Sequence, residues 1–117
     1  MKHQGSCHCG AVKFEVNGEF QEGLSCNCSI CQRKGTILGF VPEAAFHLIQ
    51  GKDNLTDYQF GKKKIHHTFC KTCGVTCFSS ASMPDGTPMK AINLRCLEDI
   101  ELEKVKLNHY DGRSIKL

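Results

Sequence analysis

Apolar residues recur at every second position in several short runs of this chain. In Ala11-Val12-Lys13-Phe14-Glu15-Val16, the residues Val12, Phe14 and Val16 fall on one face, which is the period of a half-buried strand. Ile65, His67 and Phe69 repeat the pattern, as do Ile100 and Leu102, and Val105 and Leu107 resume it after Glu103-Lys104. Turn-forming pairs separate the runs at Asn17-Gly18, Phe60-Gly61, Asp85-Gly86 and Asp111-Gly112. Helical periodicity is weak. Pro42-Glu43-Ala44-Ala45-Phe46 reads as one short helical turn with proline at its first position. The expectation is a mainly β chain of short strands, residues 1–117 forming a single domain, with its chemistry on the connecting loops.

At 117 residues, with 40% hydrophobic residues and no tryptophan, roughly two thirds of the unfolded surface can be buried, so the core is thin. The nine cysteines are the obvious supplement. Disulfides suit them poorly. The start MKHQGSCHCG has no apolar run after its lysine, so no secretory signal is expected. No segment approaches membrane-spanning length. An odd cysteine count cannot pair completely. A reducing, cytoplasmic setting is expected instead, where clustered cysteines bind metal or do redox chemistry. Ile115-Lys116-Leu117 only grazes a peroxisomal tripeptide, having Ile where Ser is required.

The cysteines fall into groups. Cys7-His8-Cys9-Gly10 and Cys70-Lys71-Thr72-Cys73-Gly74 each place a glycine after the second cysteine. A chain wrapping a metal turns sharply there, and glycine accepts a positive φ. Together the two knuckles supply four thiolates, a complete tetrahedral zinc site. They lie about sixty residues apart, so a structural ion would close a long loop and contribute on the order of 10 kcal/mol to folding. Cys26, Cys28 and Cys31 form a third group with only three local thiolates. An open fourth position marks a catalytic or ligand-exchanging zinc. Alternatively a fourth ligand arrives from elsewhere, with Cys77, Cys96, His66 and His67 available. Cys77 and Cys96 lie in apolar company and read as small buried residues.

Charge decides which chemistry an open site suits. Three thiolates around zinc leave a net charge of −1. That weakens the ion as an acid toward water but makes it a good host for another soft ligand. A bound thiol loses its proton and stays nucleophilic. The ligand set therefore points to thiol substrates and away from hydrolysis. The formal charge of +3 invites a nucleic-acid reading, but seven thiolates subtract seven and two zinc ions add four, leaving zero. No attraction to phosphate is expected on that basis, nor any nucleic-acid or membrane partner. Lys62-Lys63-Lys64, beside His66 and His67, reads as a solvated hairpin turn or as an anchor for an acidic small molecule.

Other motifs fail. No histidine has a glutamate two residues on, as a zinc deaminase needs, and HExxH is absent. Cys28-Ser29-Ile30-Cys31 has the spacing of a thioredoxin-like pair, but Cys26 stands two residues earlier and no βαβ pattern surrounds it.

The order GSCHCGAVKFEV, CNCSICQRKG, HTFCKTCG, with FVPEAAFHLIQGKDNLTDYQF and AINLRCLED between and after, resembles the glutathione-dependent formaldehyde-activating family, which includes centromere protein V among its relatives. The likeness runs over nearly the whole chain. It implies a β-tent of small antiparallel sheets around zinc, with Cys7, Cys9, Cys70 and Cys73 on a structural ion. It implies a second zinc on Cys26, Cys28 and Cys31, near which glutathione binds. The expected function is a carbon–sulfur lyase that joins glutathione, or a similar thiol, to formaldehyde or another small carbonyl compound, as in S-hydroxymethylglutathione. Arg33 and Lys34 are candidates for glutathione's carboxylates. The alternative is a non-catalytic zinc module that carries glutathione or binds a protein.

Overall fold

The computed structural model describes residues 1–114; the tripeptide Ile115-Lys116-Leu117 lies outside the described residues. Two sheets carry the fold. Strand β1 (Lys2–Ser6) pairs antiparallel with β2 (Lys13–Asn17), and β2 with β5 (Phe46–Gln50). The larger sheet collects the remaining strands: β3 (Glu22–Cys26), β4 (Leu38–Pro42), β6 (Leu55–Tyr58), β7 (His66–Cys70), β8 (Phe78–Ser82), β9 (Pro88–Asn93) and β10 (Lys106–Tyr110). Its order is β10-β3-β4-β9-β8-β7-β6. Every pairing in it is antiparallel except the edge pair of β3 and β10, which is parallel.

The alternation at Val12, Phe14 and Val16 does what its period requires, since all three are buried. They meet Phe78 and Ile92 of the larger sheet, and Leu94 in the 3₁₀ turn just after β9, in one core. At Gly5 a Cβ would stand 2.3 Å from the Phe14 ring, so glycine lets β1 lie close over that ring. The turns at Gly61 and Gly86 join β6 to β7 and β8 to β9.

Some local expectations resolve differently. Ile100 and Leu102 belong to no strand. They are half-buried against the core, and Leu102–Lys104 is a 3₁₀ turn. Val105 is buried but Leu107 is 44% exposed, because β10 is an edge strand with its whole length toward solvent. Asn17-Gly18 makes no hairpin: the chain leaves one sheet there and enters the other. The turn at Pro42 is present as Glu43–Ala45, with proline just before it rather than inside it. Helix α1 (Ser29–Lys34) buries no residue, so it has no apolar stripe for periodicity to reveal. It is held by its ends. Cys28 is the N-cap, and Gly35 closes the helix at φ 70° with its N–H on the Cys31 carbonyl.

Candidate metal centres and the adjoining cavity

The first cysteine pair lies on the loop after β1, and the second begins at the last residue of β7. The two loops are built alike. Gly10 and Gly74 have φ of 82° and 81°, and their N–H groups return to the carbonyls of Cys7 (3.3 Å) and Cys70 (2.8 Å). The four sulfurs of Cys7, Cys9, Cys70 and Cys73 all lie within 4.8 Å of one another. Cys9 is 3.7 Å from Cys7 and 3.6 Å from Cys70. Sulfurs at tetrahedral corners 2.3 Å from zinc are about 3.8 Å apart, so the cluster fits that ion. The Val12 N–H points at Cys7 Sγ (3.3 Å), and the Asn54 side-chain amide donates to Cys70 Sγ (3.1 Å). Cys70 and Cys9 are driven in opposite directions. The Cys73 backbone N–H holds Cys70 down at about 6. At Cys9 the Ala11 N–H favours the thiolate, but desolvation and the neighbouring sulfurs prevail and push the thiol up to about 11.

The middle trio is also gathered. Cys26 ends β3, Cys28 caps α1, and Cys31 lies in its first turn. Their sulfurs lie within 4.8 Å of one another. The Cys28 N–H donates to Cys26 Sγ and the Cys31 N–H to Cys28 Sγ, each at 3.4 Å. Burial pushes Cys31 up to about 12, and the adjacent Cys28 adds to that shift. For Cys28, burial acts upward, but the Cys31 N–H and the two neighbouring thiols carry it below its ordinary value.

Among the described residues, no cysteine, histidine, aspartate or glutamate completes this trio. Each candidate for a fourth ligand is engaged elsewhere. Cys77 is 2% exposed beside Cys96 and the first cluster. Cys96 is held between the Thr76 carbonyl (3.5 Å) and the Asn93 amide (3.6 Å). His66 Nδ1 lies 2.6 Å from Asp57 Oδ2. His67 is buried against the Phe60 ring, 5.2 Å between centroids, and burial followed by the Lys34 charge lowers its pKa.

What the trio faces is a cavity of about 220 Å³, in whose wall all three cysteines stand. Leu24, Leu38, Phe40, Ile65 and Met89 supply much of that wall, and Lys34 and His67 also reach it. Desolvation lowers the Lys34 pKa, opposed by the Cys31 sulfur. Arg33 is not brought to the same place. Its guanidinium donates to the Ser29 carbonyl (2.8 Å), and it lines a neighbouring depression with Gln32 and Arg113, which shares Cys28 and Gly112 with the main cavity. Lys62 and Lys64 border a third depression, which shares Ile65, His67 and Ala81 with the main cavity.

One contributor was invisible as such in the sequence. The segment Asp111–Ser114 folds over the trio. Asn27 donates to Asp111 Oδ1 (3.0 Å) and accepts from the Arg113 N–H (2.9 Å), Ser114 Oγ donates to Asp111 Oδ2 (2.7 Å), and the Arg113 guanidinium donates to Gln32. Gly112 thereby sits against the cysteines: a Cβ on it would lie 2.4 Å from Cys26 Sγ and 3.0 Å from Cys28 Cβ. The only trace of this in the sequence is an Asp-Gly pair, which reads as an ordinary turn.

Known proteins resemble this chain in sequence and fold. The family model for the glutathione-dependent formaldehyde-activating enzyme matches residues 2–110. The crystal structure of a Rhodobacter sphaeroides protein superposes with a TM-score of 0.77 at 33% sequence identity, covering 90% of this chain and 99% of that one.

Proposed function

The chain belongs to the glutathione-dependent formaldehyde-activating enzyme family, and from that premise we propose that it is a zinc-dependent carbon–sulfur lyase acting on glutathione or a closely similar thiol. The observation that carries this is the middle trio: three sulfurs within 4.8 Å, no fourth side-chain ligand among the described residues, and a cavity at their open side. Two zinc ions are assigned, one to Cys7, Cys9, Cys70 and Cys73 as a structural tie, and one to Cys26, Cys28 and Cys31. At the trio, zinc would lower the pKa of an incoming thiol and keep it nucleophilic.

The protein groups then have separable roles. Cys26, Cys28 and Cys31 fix the reacting sulfur at one end of the cavity. Lys34 adds positive charge beside that sulfur. Lys62 and Lys64, on the rim, offer partners for the two carboxylates of glutathione. Arg33 can contribute only through the depression on its own side. The reaction joins sulfur to the carbonyl carbon, opens the C=O double bond, and leaves the thiol proton on the resulting hydroxyl; the reverse releases both partners. Its gain comes from holding thiol and carbonyl together, which makes the encounter effectively intramolecular. His67, the imidazole in the cavity wall, is the candidate to pass the proton. Thiolates of this kind require a reducing compartment, which suits a cytoplasmic setting. Among the described residues no helix is long and apolar enough to cross a membrane.

The test is exchange-rate NMR with ¹³C-formaldehyde and glutathione in the presence of zinc-loaded protein. Exchange into S-hydroxymethylglutathione should accelerate over the spontaneous rate, and Cys28→Ser should abolish the acceleration. An identical rate with and without protein would refute the lyase reading.

A further inference from the structure

Reading the trio as a thiol site leaves a mismatch of size, and the following inference rests on that reading. Formaldehyde has two heavy atoms, comparable to a water at ~30 Å³, whereas an apolar cavity of ~150 Å³ already holds benzene. The cavity here is about 220 Å³. Its wall is built from Leu24, Ile30, Leu38, Phe40, Ile65 and Met89, with Lys34 the one formally charged side chain among the described residues that line it. Its buried amide is already used: Asn93 Nδ2 donates to the Thr76 carbonyl (2.8 Å) and its Oδ1 accepts from the Arg95 N–H (3.2 Å). Phe40 and Tyr110, also in the wall, are 54% and 45% exposed and offer uncovered aromatic surface.

Such a wall does not suit the charged ends of glutathione, since a single lysine cannot pair two carboxylates and an ammonium. Those ends belong outside, where Lys62 and Lys64 border the neighbouring depression. The interior is then left for whatever the sulfur is joined to. We propose that the electrophile is an aldehyde bearing an aliphatic or aromatic group of about six carbons, a size set by comparison with benzene in a smaller cavity. The chain or ring lies along Phe40, Ile65 and Met89 while the carbonyl carbon meets the sulfur at the cysteine end. The addition is the one given above: the C–S bond forms, the C=O double bond opens, and the thiol proton ends on oxygen, with no redox partner.

Binding and turnover test this separately on the full zinc-loaded chain. In the binding arm, calorimetry compares S-hexylglutathione with S-methylglutathione, which share the peptide and differ by five methylenes. Full burial is worth about fourfold per methylene, so the hexyl compound should bind at least thirtyfold tighter and shift the Met89 methyl resonance. In the turnover arm, hexanal should exceed formaldehyde in kcat/KM with glutathione, and Ala91→Phe, which narrows the cavity, should reduce that ratio at least tenfold. Equal affinities, with formaldehyde still turned over, overturn the apolar electrophile and leave the lyase reading standing. If neither derivative binds and neither aldehyde reacts, both readings fall.

Discussion

Gly112→Ala is the sharpest structural perturbation of the middle trio. Its backbone does not lie in the positive-φ region, so alanine adds no backbone strain and the effect is one of contact alone. The new Cβ would meet Cys26 Sγ at 2.4 Å, while ordinary non-bonded contact begins at about 3.5 Å. Roughly 1.1 Å must therefore be found. A zinc site tolerates about 0.2 Å in its ligand distances, so Cys26 cannot supply the movement and remain a ligand. The alternative is for residues 111–114 to lift. That breaks the Asn27–Asp111 and Asn27–Arg113 hydrogen bonds, at about 1 kcal/mol each. Either route should weaken metal binding at the trio by about ten- to a hundredfold, the range seen when a group supporting a ligand is lost. The assay is competition against a chromophoric chelator, read as two classes of zinc. The weaker class should shift and the tighter class, on Cys7, Cys9, Cys70 and Cys73, should not. Two unshifted classes would show that Gly112 does not press on the trio.

The remaining predictions concern the first cluster and the cavity wall. Asn54→Ala removes the donor 3.1 Å from Cys70 Sγ; a hydrogen bond from this half-buried amide to the buried sulfur is worth about 1–2 kcal/mol, so the melting temperature should fall by roughly 4–8 °C, checked by calorimetry. Stepwise chelation should release two ions in order: the trio spans only residues 26–31 and its ion should leave with the fold intact. Loss of the ion joining Cys7 to Cys73 should coincide with unfolding by circular dichroism, because a structural zinc contributes ~10 kcal/mol against a total of about 5–15. His67 has its pKa lowered by burial and by Lys34, so the unfolded chain takes up its proton first as pH falls. Stability is then present above about 6.5 and declines as pH drops from there through the folded value; His67→Gln should flatten that part of a pH–stability curve.

How much of this could be read from the chain alone varied with the kind of interaction involved. The cysteine clusters were legible because the spacing within each group, and the glycine after each of the first two pairs, are local features that bring the sulfurs together. Val12, Phe14 and Val16 were legible because one face of β2 is buried and the other is not. Helix α1 was missed because nothing in it is buried and its caps, Cys28 and Gly35, are a clustered cysteine and a glycine. Leu107 misled because alternation needs a covered face, and β10 is an open edge. Gly112 and Asn27 were out of reach for a different cause: 86 positions separate Asn27 from Arg113, and only the parallel pairing of β10 with β3 brings them together. The cavity wall is likewise assembled from strands distant in sequence, so the size of the space beside the trio had no signature in any single stretch.

Cadmium-113 NMR of the fully substituted protein tests the open trio most directly, because the shift reports the number of bound sulfurs. One resonance is expected in the four-sulfur region, unmoved by ligand, and one in the three-sulfur region that moves toward the first when glutathione is added. Two four-sulfur resonances before any thiol is present, or a three-sulfur signal indifferent to glutathione, would contradict that expectation.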